Sequence, residues 1–99
     1  MEKKKPHYHL EDIRCAVRAG QIRITTTAAI GAHALGMLDD DIWNVLLALT
    51  PADFYKSMTT YADHRAWQDV YRTRCKDRVL YVKIQKVTDA YWVISFKEK

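Results

Sequence analysis

Apolar residues recur along the chain with two different periods, and the period changes near residue 50. Leu10, Ile13 and Val17, with Cys15 and Ala16 beside them, form one apolar side of a helix over 10–19. Glu11 and Asp12 sit in its first turn and Arg14 and Arg18 later, as the helix dipole favours, and Gly20 stops it. Gln21 to Thr25 alternates and is β-branched, so it predicts a short strand. One of Thr25, Thr26 or Thr27 can cap a second helix from Ala28 to Leu35, ended by Gly36. One of Asp39, Asp40 or Asp41 caps a third, through Ile42, Val45, Leu46 and Leu49, which Pro51 closes.

Beyond residue 66 the period is two. Trp67 to Arg72 predicts a strand after a turn near Asp63-His64, and Arg72 to Arg78 predicts a polar, basic connection. Arg78 to Val87 sets Leu80, Val82 and Ile84 on one side and Tyr81, Lys83 and Gln85 on the other. After a turn at Thr88-Asp89, the last strand sets Trp92, Ile94 and Phe96 against Tyr91, Val93, Ser95 and Lys97. Each of these two strands has an apolar face that must meet the helices. Each leaves a polar face carrying Tyr81, Lys83, Ser95 and Lys97, and an antiparallel sheet can keep such a face wet. Helices first and strands after predict an α+β fold: short N-terminal helices packed on one face of a twisted, mainly antiparallel sheet. Ninety-nine residues suit a single domain, 1–99.

Composition narrows the partners. No apolar run is long enough to span a membrane, and the charged start lacks the apolar stretch of a signal peptide. Cys15 and Cys75 are far apart and outside any motif, as expected of reduced thiols in the cytoplasm. The net charge is +4, and residues 1–52 hold six cations and six acids while residues 53–99 hold ten and six. The whole excess therefore falls in the second half, which points to a polyanion. Met1 to His9 is short and basic and is expected to be loose. His7 and His9 with Cys15, or the Asp39–Asp41 run, could suggest a metal; the first lacks a fourth ligand, and capping explains the second.

The stretch from Asp53 to Tyr71 has a different character. It has no Gly or Pro, and Lys56, Ser57, Thr59, Thr60 and Gln68 interrupt what would otherwise be strand. Rings, cations and hydrogen-bonding side chains together suit single-stranded nucleic acid, since rings stack on bases and cations meet phosphates. Tyr55, Tyr61, Trp67 and Tyr71 could stack, although some must fill the core; Phe54 and Trp67 are the expected core residues. Metal-free RNA cleavage needs a base for the 2′-hydroxyl, charge stabilisation at phosphorus and an acid for the leaving 5′-oxygen. Lys56, Gln68, Tyr81 and Lys97 could supply those parts, or could merely cover a sheet face. His64, in the predicted turn, suits turn formation or RNA contact better than catalysis.

The run Phe54-Tyr55-Lys56-Ser57-Met58-Thr59-Thr60-Tyr61, then Asp63-His64, then Trp67-Gln68-Asp69-Val70-Tyr71, resembles the motility quorum-sensing regulator (MqsR) family, RelE-like bacterial toxins that cleave messenger RNA. Met1-Glu2-Lys3 with Pro6-His7, Ala19-Gly20-Gln21 and the ending from Val93 to Lys99 carry it to nearly the whole chain. It departs from the family's usual pattern mainly in residues 37–41, Arg65-Ala66 and residues 73–78, which leaves the proposed site intact.

The resemblance implies a RelE-like fold and catalytic roles for Lys56, Gln68, Tyr81 and Lys97. Lys56 would be base or phosphate clamp, Tyr81 acid or 2′-hydroxyl partner, Lys97 a charge stabiliser and Gln68 an orienting group. Tyr55, Tyr61, His64, Tyr71, Arg72, Arg74, Lys76, Arg78 and Lys83 are candidates to contact RNA. It further implies a toxin that arrests growth by ribosome-independent cutting at short GC-containing sites, with no metal cofactor. Its expected partners are messenger RNA and a cognate antitoxin that carries the zinc and the helix-turn-helix, so that DNA is met only through the complex. The alternative is a non-catalytic RNA-binding regulator, which the same rings and cations would serve.

Overall fold

Three short helices are laid against one face of a six-stranded sheet in the computed structural model, which describes residues 1–99. The elements are β1 (Glu2–Lys3), α1 (Leu10–Arg18), β2 (Ile22–Ile24), α2 (Thr26–Ala34), α3 (Asp39–Ala48), β3 (Phe54–Thr59), β4 (Trp67–Cys75), β5 (Arg78–Val87) and β6 (Ala90–Glu98). The strands run in the order β1-β3-β4-β5-β6-β2, antiparallel throughout except that β2 runs parallel to β6. This is the α+β arrangement expected, in agreement with a RelE-like layout.

The helix signals act as their residue types require. In α1, Ile13 and Ala16 are buried while Glu11 holds Arg14 at 3.2 Å and Arg18 at 3.0 Å on the wet side. Of the three threonines, Thr25 is the cap of α2: its Oγ1 accepts from the Ala28 N–H at 3.0 Å and donates to the Ile94 carbonyl at 2.8 Å. One hydroxyl thus starts the helix and ties it to β6. In α3 the expectation is corrected: the N-cap is Leu38 rather than an aspartate. Asp39, Asp40 and Asp41 all lie inside the first turn, and Asp41 reaches back to accept the Leu38 N–H at 2.8 Å. Gly31 faces β6 so closely that a Cβ there would lie 2.0 Å from the Phe96 carbonyl oxygen. The helices bury Ile13, Ile42, Leu46 and Leu49 against Tyr71, Leu80, Val82, Ile84, Val93 and Phe96.

Several expectations are corrected. Residues 54–59 form a strand despite their polar content: Lys56 points to the face that no helix covers, while Ser57 and Thr59 are buried on the other side with partners of their own. Ser57 Oγ donates to Asp69 at 2.7 Å, and Thr59 Oγ1 accepts from the Met1 amine at 3.0 Å. The basic connection over 72–78 is absent: β4 continues to Cys75, and the hairpin turns on Lys76 and Asp77 alone. In β6 the faces are half reversed. Lys83 pairs with Ser95 but Ile84 with Val93, so Ile94 is an extra residue, a β-bulge. Tyr91 and Val93 therefore face the helices, Phe96 resumes that face beyond the bulge, and Trp92 lies on the open face opposite Gln85. A period-two reading cannot register an inserted residue.

The start of the chain is tied down. Glu2 and Lys3 pair with Met58 and Ser57 on β3, and the buried Asp69 carboxylate accepts the N–H of His7 (3.1 and 3.0 Å) and of Tyr8 (2.9 Å). Trp67 is only half-buried, stacked on His7 with ring centres 5.5 Å apart, outside the main core; Phe54 packs against the core as expected.

Candidate nucleic-acid interface and active site

The open face is a grid set by the strand register, since paired residues of neighbouring strands share a face. One row runs Lys56, Val70, Lys83, Ser95 across β3, β4, β5 and β6. The next runs Arg72, Tyr81, Lys97. On the other side lies a row with Met58 beside Gln68 and Gln85 beside Trp92. Rows on one face are separated by about 6.8 Å, two residues of strand rise. Val70 in the middle is wholly buried although no element covers it, so the long side chains around it close over it.

A second β-bulge shapes the edge. Phe54 pairs with Tyr71 and Lys56 with Val70, so Tyr55 is the extra residue. Its ring lies beneath the Arg72 guanidinium, 3.4 Å from ring centre to Cζ, with Lys4 and Lys56 ammonium groups at 4.9 and 5.4 Å. The Arg72 Nε is buried and has no hydrogen-bond partner, a donor that an anion on this face would satisfy. Lys97 Nζ lies 5.7 Å from the centre of the Tyr81 ring.

The lysines differ electrostatically. Lys56 Nζ donates to the Glu2 carboxylate at 2.8 Å, and this contact raises the lysine's pKa and lowers that of Glu2. Lys83 is shifted the other way: burial pushes its pKa down, and the neighbouring ammonium groups of Lys97 and Lys56 push it further. Lys56 is thus held charged, while burial and the two neighbouring ammonium groups ease the loss of the Lys83 proton. Gln68 Nε2 donates to Gln85 Oε1 at 2.8 Å, which fixes how the Gln68 amide faces.

The four residues expected to be catalytic share this face. Lys56, Lys83, Tyr81 and Lys97 occupy two adjacent rows, and Gln68 lies on the far side of the Lys56–Lys83 row. The RNA-contact candidates divide. Tyr55, Arg72 and Lys83 are in the grid, and Arg74 is on the same face nearer the hairpin, opposite Val79. Tyr61 and His64 lie on the 60–66 loop, where with Met58, Gln68 and Lys83 they line an open recess of about 670 Å³. Lys76 is at the hairpin tip. Arg78 turns to the helix layer and donates to the Leu35 carbonyl at 2.9 Å. Tyr71 is corrected outright: it is 1% exposed, packs edge-on against Phe54, and burial pushes its pKa to about 12. An odd step along β4 from Gln68 puts it in the core.

Sequence reasoning missed Glu2, Asp69 and Gln85. Asp69 had a readable signal: a carboxylate one residue from Gln68 must point into the core, where it needs donors. Glu2 had none, because its partner is 54 positions away. No three His, Cys, Asp or Glu side chains gather in a group able to hold a metal.

Chemically, the face presents an amine shifted toward neutrality, fixed cations beside it, an unpartnered guanidinium N–H and a phenol. Those are the parts of metal-free phosphodiester transfer. Residues 5–98 match the family described as motility quorum-sensing regulator, toxin of MqsA. The chain is also 48% identical over 99 residues, all of both chains, to the mRNA interferase toxin MqsR of Escherichia coli (strain K12).

Proposed function

The chain belongs to the MqsR toxin family, and from that premise we propose that it is the toxin of a toxin–antitoxin pair, an endoribonuclease that cuts messenger RNA. The observation that carries the reading is the pair of rows formed by Lys56, Lys83, Arg72, Tyr81 and Lys97 on the uncovered face. In this mechanism the neutral amine of Lys83 takes the proton of a 2′-hydroxyl, and the freed oxygen bonds to the adjacent phosphorus. Lys56, Lys97 and the Arg72 guanidinium offset the charge that gathers on the phosphoryl oxygens. The P–O5′ bond breaks as the Tyr81 hydroxyl delivers its proton to the leaving oxygen. The products are a 2′,3′-cyclic phosphate and a 5′-hydroxyl. Gln68 orients the substrate.

The chain's own cations supply the charge stabilisation, so the reaction proceeds without a metal. The finer reading extends to ribosome-independent cutting at GC-containing sites, in the cytoplasm, with growth arrest as the outcome. The neutralising partner is a zinc-containing, helix-turn-helix antitoxin of the MqsA kind, through which alone the toxin meets DNA. β2 ends the sheet as a free edge where such a partner could add a strand.

The test is cleavage of a defined RNA by purified protein in excess chelator, with the ends analysed. Cyclic-phosphate and 5′-hydroxyl termini, lost in Lys83→Gln and Tyr81→Phe, are expected. Binding without cleavage, unchanged by both substitutions, would establish the non-catalytic regulator instead.

A further inference from the structure

Beyond Lys83 and Gln68, the recess over Gln68 has walls that the phosphodiester chemistry does not use, and they are those of a base site. Tyr61 at its rim is fully exposed and packs on nothing, while Met58 and His64 offer a second apolar and ring-shaped wall. The recess is continuous with the reacting groups, because Lys83 is part of its lining. Gln68 lines the recess, and its partner Gln85 on β5 lies just beyond the lining, on a half-exposed surface beside Trp92. Gln68 Nε2 donates to Gln85 Oε1 at 2.8 Å, and neither side chain makes any other hydrogen bond. With its rotation fixed this way, the Gln68 amide presents one acceptor and one remaining donor, and Gln85 adds two donors.

We propose that this recess receives the unpaired nucleobase next to the scissile phosphate, and that the Gln68–Gln85 amide pair reads its hydrogen-bonding edge. The inference rests on the nuclease reading and deepens it, by locating where sequence preference arises. An unpaired base exposes neighbouring donor and acceptor atoms on its Watson–Crick edge, and a fixed amide meets such a pair with two hydrogen bonds. Tyr61 stacks on the base, as aromatic side chains do on splayed bases. The row of amides is about 6.8 Å from the row of Lys83, one same-face step along the strands. Base and phosphate of a single nucleotide thus fall on successive rows. Gln85 touches no reacting atom; it positions the amide of Gln68.

Two measurements test it. The first compares kcat/KM on a preferred RNA and on the same RNA with the flanking base replaced, for the wild type, Gln85→Leu and Gln85→Glu. Leu frees the Gln68 amide to rotate, so the ratio between good and poor base narrows by about tenfold. Glu still accepts from Gln68 but removes two donors, so it changes which base is preferred. Ratios identical to wild type, with all substrates slowed equally, would overturn the base-reading role. The second uses an RNA with 2′-deoxyribose at the scissile position, which cannot be cut, and 2-aminopurine as the flanking base. Binding by the wild type quenches the fluorescence, and Tyr61→Ala binds with the quenching lost. A base that stays bright in the wild-type complex sinks the proposal. If the wild type cuts no RNA, the nuclease reading fails and this second measurement alone decides whether the recess holds a base.

Discussion

The Glu2 carboxylate closes on the Lys56 ammonium at 2.8 Å, bridging β1 and β3 over the edge of the open face. Register puts Glu2 opposite Met58, so its side chain lies on the side where RNA would bind. A phosphate reaching for Lys56 must displace this carboxylate. Glu2→Gln removes the competitor, while β1 stays in place through the Thr59 N–H to Met1 carbonyl bond at 2.9 Å. The expected result is a fall in KM for RNA of about two- to threefold, in line with an exposed ion pair, and an unchanged kcat. Initial rates over a range of RNA concentrations check this. A higher KM would mean that Glu2 holds Lys56 in its working position.

Lys83 should set the acid limb of the pH–rate profile. A base acts as the neutral amine, and burial together with Lys97 and Lys56 lowers the pKa from the ordinary value of 10.5. The active fraction therefore rises with pH and levels off below that value. Lys97→Gln removes one of the cations that lower it, so the levelling-off moves to higher pH even as the rate falls. Lys83→Arg keeps the charge but cannot release the proton, and kcat should drop by about 10²–10⁴-fold. A Lys83→Arg enzyme with the wild-type limb would assign the proton transfer to another group.

Asp69 anchors the first eight residues to the sheet. Its buried carboxylate accepts from the His7 and Tyr8 N–H groups and from Ser57 Oγ at 2.7 Å. In Asp69→Asn one oxygen becomes an NH₂ group that faces donors. The expected loss is about 2–4 kcal/mol in urea unfolding, with faster amide exchange at His7 and Tyr8. Wild-type exchange rates there, with stability reduced, would place the carboxylate's importance elsewhere in the fold.

What could be read in the sequence was whatever repeats locally. The helix stops at Gly20 and Gly36, the apolar faces of α1 and α3, and the inward run Leu80, Val82, Ile84 all follow from short-range spacing. The same spacing put Tyr81, Lys83 and Lys97 on one face, because no bulge lies between β5 and the end of β6 at those positions. Two inserted residues, Tyr55 and Ile94, defeated the pattern elsewhere: one brings a ring under Arg72, the other exchanges Trp92 for Tyr91 and Val93. Tyr71 was misplaced by composition, since a tyrosine among cations looks like a stacking platform until the parity of β4 is known. The order of the lysines as acids could not be read at all. It depends on Glu2 lying against Lys56 and on Lys83 being enclosed by its neighbours, and both are long-range contacts.

Gly31 offers a test in which helix propensity and packing oppose each other. In an exposed helix interior Gly→Ala gains about 1 kcal/mol. Here the added methyl would meet the Phe96 carbonyl oxygen at 2.0 Å, and that oxygen belongs to backbone that cannot step aside alone. α2 must lift from β6, so Gly31→Ala is expected to lose about 1–3 kcal/mol. The neighbouring residue on β6 is Lys97, so a shift of this strand also moves its ammonium relative to Tyr81. RNA cleavage, assayed well below the variant's melting temperature where it is fully folded, should therefore fall as well. Ile30→Ala, at a position 63% exposed on the same helix, is the control and should leave both unchanged. A Gly31→Ala protein that melts at or above the wild-type temperature would show that α2 does not rest on β6 at this contact.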